Sequence, residues 1–164
     1  MFFGESTSAF FSYKDVSTQR KLILPVYPKP YYELLRDPKI KYQKKRLGEI
    51  RLLGIDVATQ GGSKNDATAI SLLQMIPTNY GYSRSATYME TLDGGHGQDQ
   101  AIRIRQLFDD LDCDFIVIDS NGSGLSVFDE LSQDQYDNER KTLYEAWSCI
   151  NDEAMAARCR NPDA

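Results

Sequence analysis

The chain has 164 residues, about one domain, and 41% of them are hydrophobic, enough for a core. Its formal net charge of −5 argues against unaided nucleic-acid binding, although the distribution of charge matters more than the sum. No apolar run reaches the ~20 residues of a membrane span. The start has no basic n-region and so is not a secretory signal. Three widely spaced cysteines point to reduced thiols in a cytosolic setting, and a single histidine without CxxC argues against a zinc site.

Residues 1–48 differ in pattern from residues 49–164. A short helix is expected near 13–21. LPVYPKPYY (24–32) should be extended, because a residue preceding proline is pushed out of the helical region. RDPKIKYQKKR (36–46) is a basic cluster with one acid. The region has no clean period and reads as a linker that makes few contacts with the sheet.

From residue 49 the pattern becomes regular. EIRLLGIDVA (49–58) is strand-like, with apolar residues at 50, 52, 53, 55 and 57. DATAISLLQMI (66–76) is a second strand and SATYMETL (85–92), alternating in period two, a third. Short connectors make these three an antiparallel meander. GQDQAIRIRQLFDDLD (97–112) is a helix whose Ala101, Ile104, Leu107, Phe108 and Leu111 share one face. CDFIVID (113–119) is a short, almost wholly apolar strand, the signature of parallel pairing. LSVFDEL (125–131) is the next helix.

The expected fold is α/β: a mixed sheet in which a three-strand antiparallel meander is followed, after a crossover helix, by a parallel strand. The crossover returns strand four to the free edge of strand one. Both strands end in an acid, Asp56 and Asp119. Their carboxylates would meet at the carboxyl end of the sheet, where open α/β sheets bind ligands. Two facing carboxylates repel, and a hard divalent cation relieves that conflict. Each acid equally suits a cap on the turn after its strand. Asp66 reads as a turn acid.

The loop GGSK (61–64) is no phosphate cradle, since GxxxxGK[ST] is absent; it reads as a hairpin in which Lys64 can approach a backbone phosphate. SNGSG (120–124) exposes N–H groups to an anion or simply makes a tight turn. His96 reads as an exposed loop residue. The run Lys39, Lys41, Lys44, Lys45 and Arg46 is either a solvated face or a track for DNA backbone.

LLGIDVATQGGSKNDATAI and DFIVIDSNGSGLSVFDEL, in this order and spacing, resemble the first and fourth strands of the nuclease domain of tailed-phage terminase large subunits. FFGESTSAFFSYKDV resembles the segment leaving that family's ATPase domain. The resemblance implies an RNase H-like fold and a metal-dependent endonuclease that cuts concatemeric double-stranded viral DNA during packaging. It implies that Asp56 and Asp119 hold Mg²⁺ or Mn²⁺ in a two-metal site; Lys64, Lys44, Lys45 and Arg46, from the loop and basic run read above, are the candidate DNA contacts. It further implies terminase small subunit and portal protein as partners, and the bacterial host cytoplasm as location. On this comparison residues 1–48 are a linker and the tail of an ATPase domain. Residues 49–164 are the first part of a nuclease domain, incomplete because the family's third acidic ligand lies further on. Weak metal binding and poor cleavage are therefore expected. Two other readings stand beside this one. The first is a non-catalytic prophage remnant with the same fold. The second is an actin-like ATP-binding fold, whose phosphate loops GIDVATQGG and IDSNGSG superficially resemble.

Overall fold

A computed structural model describes residues 12–20, 24–35, 39–58, 67–92, 96–119 and 124–149. Helix α1 (Tyr13–Gln19) matches the expected short helix. It begins on a reciprocal cap: Asp15 N–H donates to Ser12 Oγ at 3.1 Å and Ser12 N–H donates back to the Asp15 carboxylate at 3.3 Å. None of its residues is buried, so local capping rather than packing supports it.

Helix α2 (Lys29–Leu34) corrects the extended reading of the proline-rich stretch. Pro30 stands in its first turn, where the missing N–H is no loss and a fixed φ already suits a helix.

Strands β1 (Ile50–Asp56), β2 (Thr68–Thr78) and β3 (Gly81–Leu92) form the antiparallel meander. The 77–84 connector is tighter than the sequence suggested. Pro77 pairs with Tyr82 and Thr78 with Gly81, leaving only Asn79 and Tyr80 to turn. Gly81 takes φ +120°, a conformation that side chains resist. Helix α3 (Gly97–Asp110) crosses back over one face, and β4 (Phe115–Ile118) docks parallel to β1, Leu53 opposite Ile116 and Ile55 opposite Ile118. The sheet order is β3-β2-β1-β4, a mixed sheet with one parallel pair, as the strand pattern required. Helix α4 (Gly124–Leu131) comes next. A small hairpin, β5 (Gln135–Asp137) with β6 (Thr142–Tyr144), is not legible in the sequence pattern.

Alternation explains which face is covered. Leu53 and Ile55 of β1 and Ile70 and Leu72 of β2 point toward α3, where Ala101, Ile104, Leu107 and Leu111 meet them in the core. Each buried Leu or Ile among them contributes roughly 1.5–3 kcal/mol. The opposite face carries Leu52 and Gly54, both half-buried, and the exposed Asp56.

Residues 24–35 and 39–49 overturn the expectation of a detached linker. Val26 is fully buried in the core, and its N–H donates to the Thr87 carbonyl on β3 at 3.1 Å. The fully buried Arg51 explains the rest. Its guanidinium donates to Glu49 at 2.7 Å, to the Leu111 carbonyl at 2.8 Å and to the Gln43 carbonyl at 2.9 Å. A buried guanidinium needs its donors satisfied, and residues 42–49 satisfy them together with the Leu111 carbonyl.

Candidate metal centre

The register that pairs Ile55 with Ile118 brings the next residues, Asp56 and Asp119, level with each other. The Asp119 N–H donates to the Ile55 carbonyl at 3.4 Å, carrying the parallel pairing to the end of the strand. Adjacent strands lie ~4.8 Å apart. By alternation both acids belong to the open face, in line with Gly54 and Val117, and both are exposed.

A close approach shapes the chain beyond Asp119. A Cβ on Gly124 would stand 1.7 Å from the Asp119 carbonyl oxygen, a distance no side chain tolerates. Glycine at 124 is thus what lets the start of α4 lie against the end of β4. In the sequence this glycine is one of several small turn residues, and nothing local marks that contact. Residues 120–123 of the proposed anion loop lie outside the described residues, as do Lys64 and Asp66.

Behind the acids, on the core face, is a second feature that sequence reasoning misses. Ala58 N–H donates to Thr68 Oγ1 at 3.2 Å, and that hydroxyl donates to Gln100 Oε1 at 2.9 Å. A sequence signal exists: Thr68 has the parity of the buried Ile70 and Leu72, where a hydroxyl needs a partner.

Of the other sequence-selected residues, His96 lies at this end of the sheet, one turn before the Gln100 that meets Thr68, and the basic run lies at the opposite end. His96 precedes α3 as its N-cap residue, exposed and without a side-chain cap bond. Lys44 and Arg46 are exposed; Lys45 is paired with Asp114, just before β4. The basic run therefore sits at the amino end of β1 and β4, ~16 Å along the strand from Asp119.

Among the described residues, the open face near the acids carries exposed apolar side chains. Phe115 and Val117 on β4 are 51% and 56% exposed, and Met89 on β3 is 75% exposed. Among the described residues, no group of three or more His, Cys, Asp or Glu side chains stands together as a metal site. The donor set at hand is Asp56 and Asp119. Two exposed carboxylates on neighbouring strands suit Mg²⁺ or Mn²⁺, which accept one or two carboxylates and keep water in the remaining positions.

No family model, no curated protein and no solved structure matches this chain.

Proposed function

We propose that the chain carries the metal-binding half of an RNase H-like, terminase-type nuclease domain that cleaves double-stranded DNA. One observation carries this reading: two aspartates, level with each other, end adjacent parallel strands at the carboxyl edge of a mixed sheet with the order β3-β2-β1-β4. Asp56 and Asp119 are the residues that would hold Mg²⁺ or Mn²⁺. Such an ion, when bound, polarises a phosphodiester and lowers the pKa of a coordinated water. The two side chains keep their positions through the strand ladder, and their oxygens match the hardness of the cation. Lys44 and Arg46 are proposed to meet DNA backbone at the other end of the sheet. At ~16 Å, that distance corresponds to about five base-pair steps of 3.4 Å. By the same resemblance, the small terminase subunit and the portal protein are the proposed partners, in the cytoplasm of a bacterial host.

The test is Mn²⁺ binding followed by electron paramagnetic resonance, with plasmid nicking in parallel, for the unmodified chain, Asp56→Asn and Asp119→Asn. The expected result is weak binding by the unmodified chain that falls at least tenfold in each variant, with any nicking falling alongside. Unchanged binding in both variants would remove the site.

A further inference from the structure

We infer that Thr68 and Gln100 form a positioning clamp for Asp56, an inference that rests on the metal-site reading above. The antiparallel ladder between β1 and β2 closes at the pair Asp56 and Ala69. Beyond it the β1 chain has left the sheet. The backbone nevertheless stays tethered two residues further on, because the Ala58 N–H donates to Thr68 Oγ1 at 3.2 Å. The hydroxyl passes the tie onward by donating its one proton to Gln100 Oε1 at 2.9 Å. Both residues are almost fully buried, Thr68 at 2% and Gln100 at 5% exposure.

Burial gives this relay its strength. A hydroxyl and an amide inside the protein lose water as an alternative partner, so breaking one link strands the other. Gln100 lies near the start of α3, and that helix is anchored along its length by Ala101, Ile104 and Leu107 in the core. The exit of β1 is thereby referenced to the rigid body of the domain. Without the relay, the backbone just beyond Asp56 would lose this tie to the core. With it, Asp56 is held from both sides, by the ladder before it and by the Ala58 tie after it. The clamp works from the core face while the carboxylate points to the open one, so Thr68 and Gln100 touch no metal ligand directly. Their role is to remove freedom from the backbone that carries the ligand. Groups bonded directly to a metal ligand control affinity by roughly 10–100-fold, and a tie acting through the backbone two residues away is expected at or below the lower end of that range.

The experiment compares the full chain with Thr68→Val, which keeps the shape and deletes the hydroxyl, with Gln100→Met, and with Thr68→Ser, which restores the hydroxyl. Three quantities are read: Mn²⁺ affinity, amide hydrogen exchange at Asp56, Val57 and Ala58, and the melting temperature. The expected result for Thr68→Val and Gln100→Met is about tenfold weaker Mn²⁺ binding with faster exchange at Ala58 in a chain that still melts cooperatively. Thr68→Ser should recover affinity to within about twofold of the unmodified chain. Faster exchange at Ala58 with unchanged Mn²⁺ affinity would reduce the relay to a purely structural bond and overturn the inference. Unchanged exchange in both deletion variants would overturn it as well. If the unmodified chain fails to bind Mn²⁺ through Asp56 and Asp119, the metal reading itself falls and takes the clamp's function with it. That outcome is distinct, because it appears before any change at Thr68.

Discussion

Arg51 joins β1 to segments on both sides of it in the sequence. It is fully buried in β1, and its ion pair with Glu49 is reinforced by Gln74, whose amide donates to the same carboxylate at 2.8 Å. Burial alone would raise the Glu49 pKa, but donors from the Arg46 backbone, Gln74 and Arg51 outweigh it and hold the carboxyl below the usual range. Removing one partner of such a pair leaves an uncompensated buried charge. Arg51→Met should therefore cost about 3–5 kcal/mol in urea denaturation. The sign of the pH effect comes from the depressed pKa. The stabilisation is fully present above about pH 4.5, the ordinary value for this group, and is lost as pH falls through the lower folded value. Glu49→Gln should lower stability at neutral pH and flatten the acid side of the stability curve. An acid limb as steep as that of the unmodified chain would assign the loss to other carboxylates.

The junction between β4 and α4 depends on one missing methyl group. Gly124 opens the helix where a Cβ would collide with the Asp119 carbonyl oxygen at 1.7 Å. The obstacle is backbone, which cannot swing aside as a long side chain would, so Gly124→Ala must move either the end of β4 or the start of α4. A loss of about 2–3 kcal/mol is expected, together with weaker Mn²⁺ binding because Asp119 moves with its carbonyl. Urea denaturation and Mn²⁺ titration measure the two effects separately. Stability and affinity both equal to the unmodified chain would show that the turn relaxes freely. The β5–β6 hairpin is an element of another kind. It is too short to stand alone and is tied to α3 by a bidentate Arg140–Asp110 pair at 2.7 and 2.9 Å and by Gln106 donating to Asp137 at 2.7 Å.

The sheet has two edges that are treated differently. On the β3 side, the Val26 N–H takes the Thr87 carbonyl and Val26 enters the core. On the β4 side, the described residues supply no strand neighbour other than β1. Residues 24–35 and 39–49 are consequently part of the domain and not a leash to it. Limited trypsin digestion distinguishes the two arrangements, since exposed and weakly bonded backbone is cut first. Cleavage after Lys14 or Arg20, within or beside the wholly exposed α1, should precede cleavage after Lys41, Lys44, Lys45 or Arg46. The backbone of that second stretch is engaged: the Gln43 carbonyl by Arg51, and the Arg46 N–H and carbonyl by Glu49. Early cutting after these residues with the sheet intact would return them to the status of a linker. No helix among the described residues is long and apolar enough to cross a membrane.

The sequence by itself determined the run of elements from β1 to α4, the meander, and the pairing of β1 with β4. Those conclusions rest on period and on chain geometry: alternation marks a strand with one covered face, and a helical crossover returns a strand in parallel. It also put Asp56 and Asp119 at the ends of the two strands that turn out to be neighbours, because an acid that closes an apolar run is visible locally. Only the tertiary structure decided the rest. The partners of Arg51 are drawn from residues 42–49 and from Leu111, and hydrogen bonds between distant segments leave no periodic trace. Prolines at 25, 28 and 30 hid both the core role of Val26 and the helix α2, since proline excludes a helix interior but permits its first turn. The need for glycine at 124 and the Thr68–Gln100 relay arise from close approach and burial. Those are properties of how elements meet, and a chain read one residue at a time does not contain them.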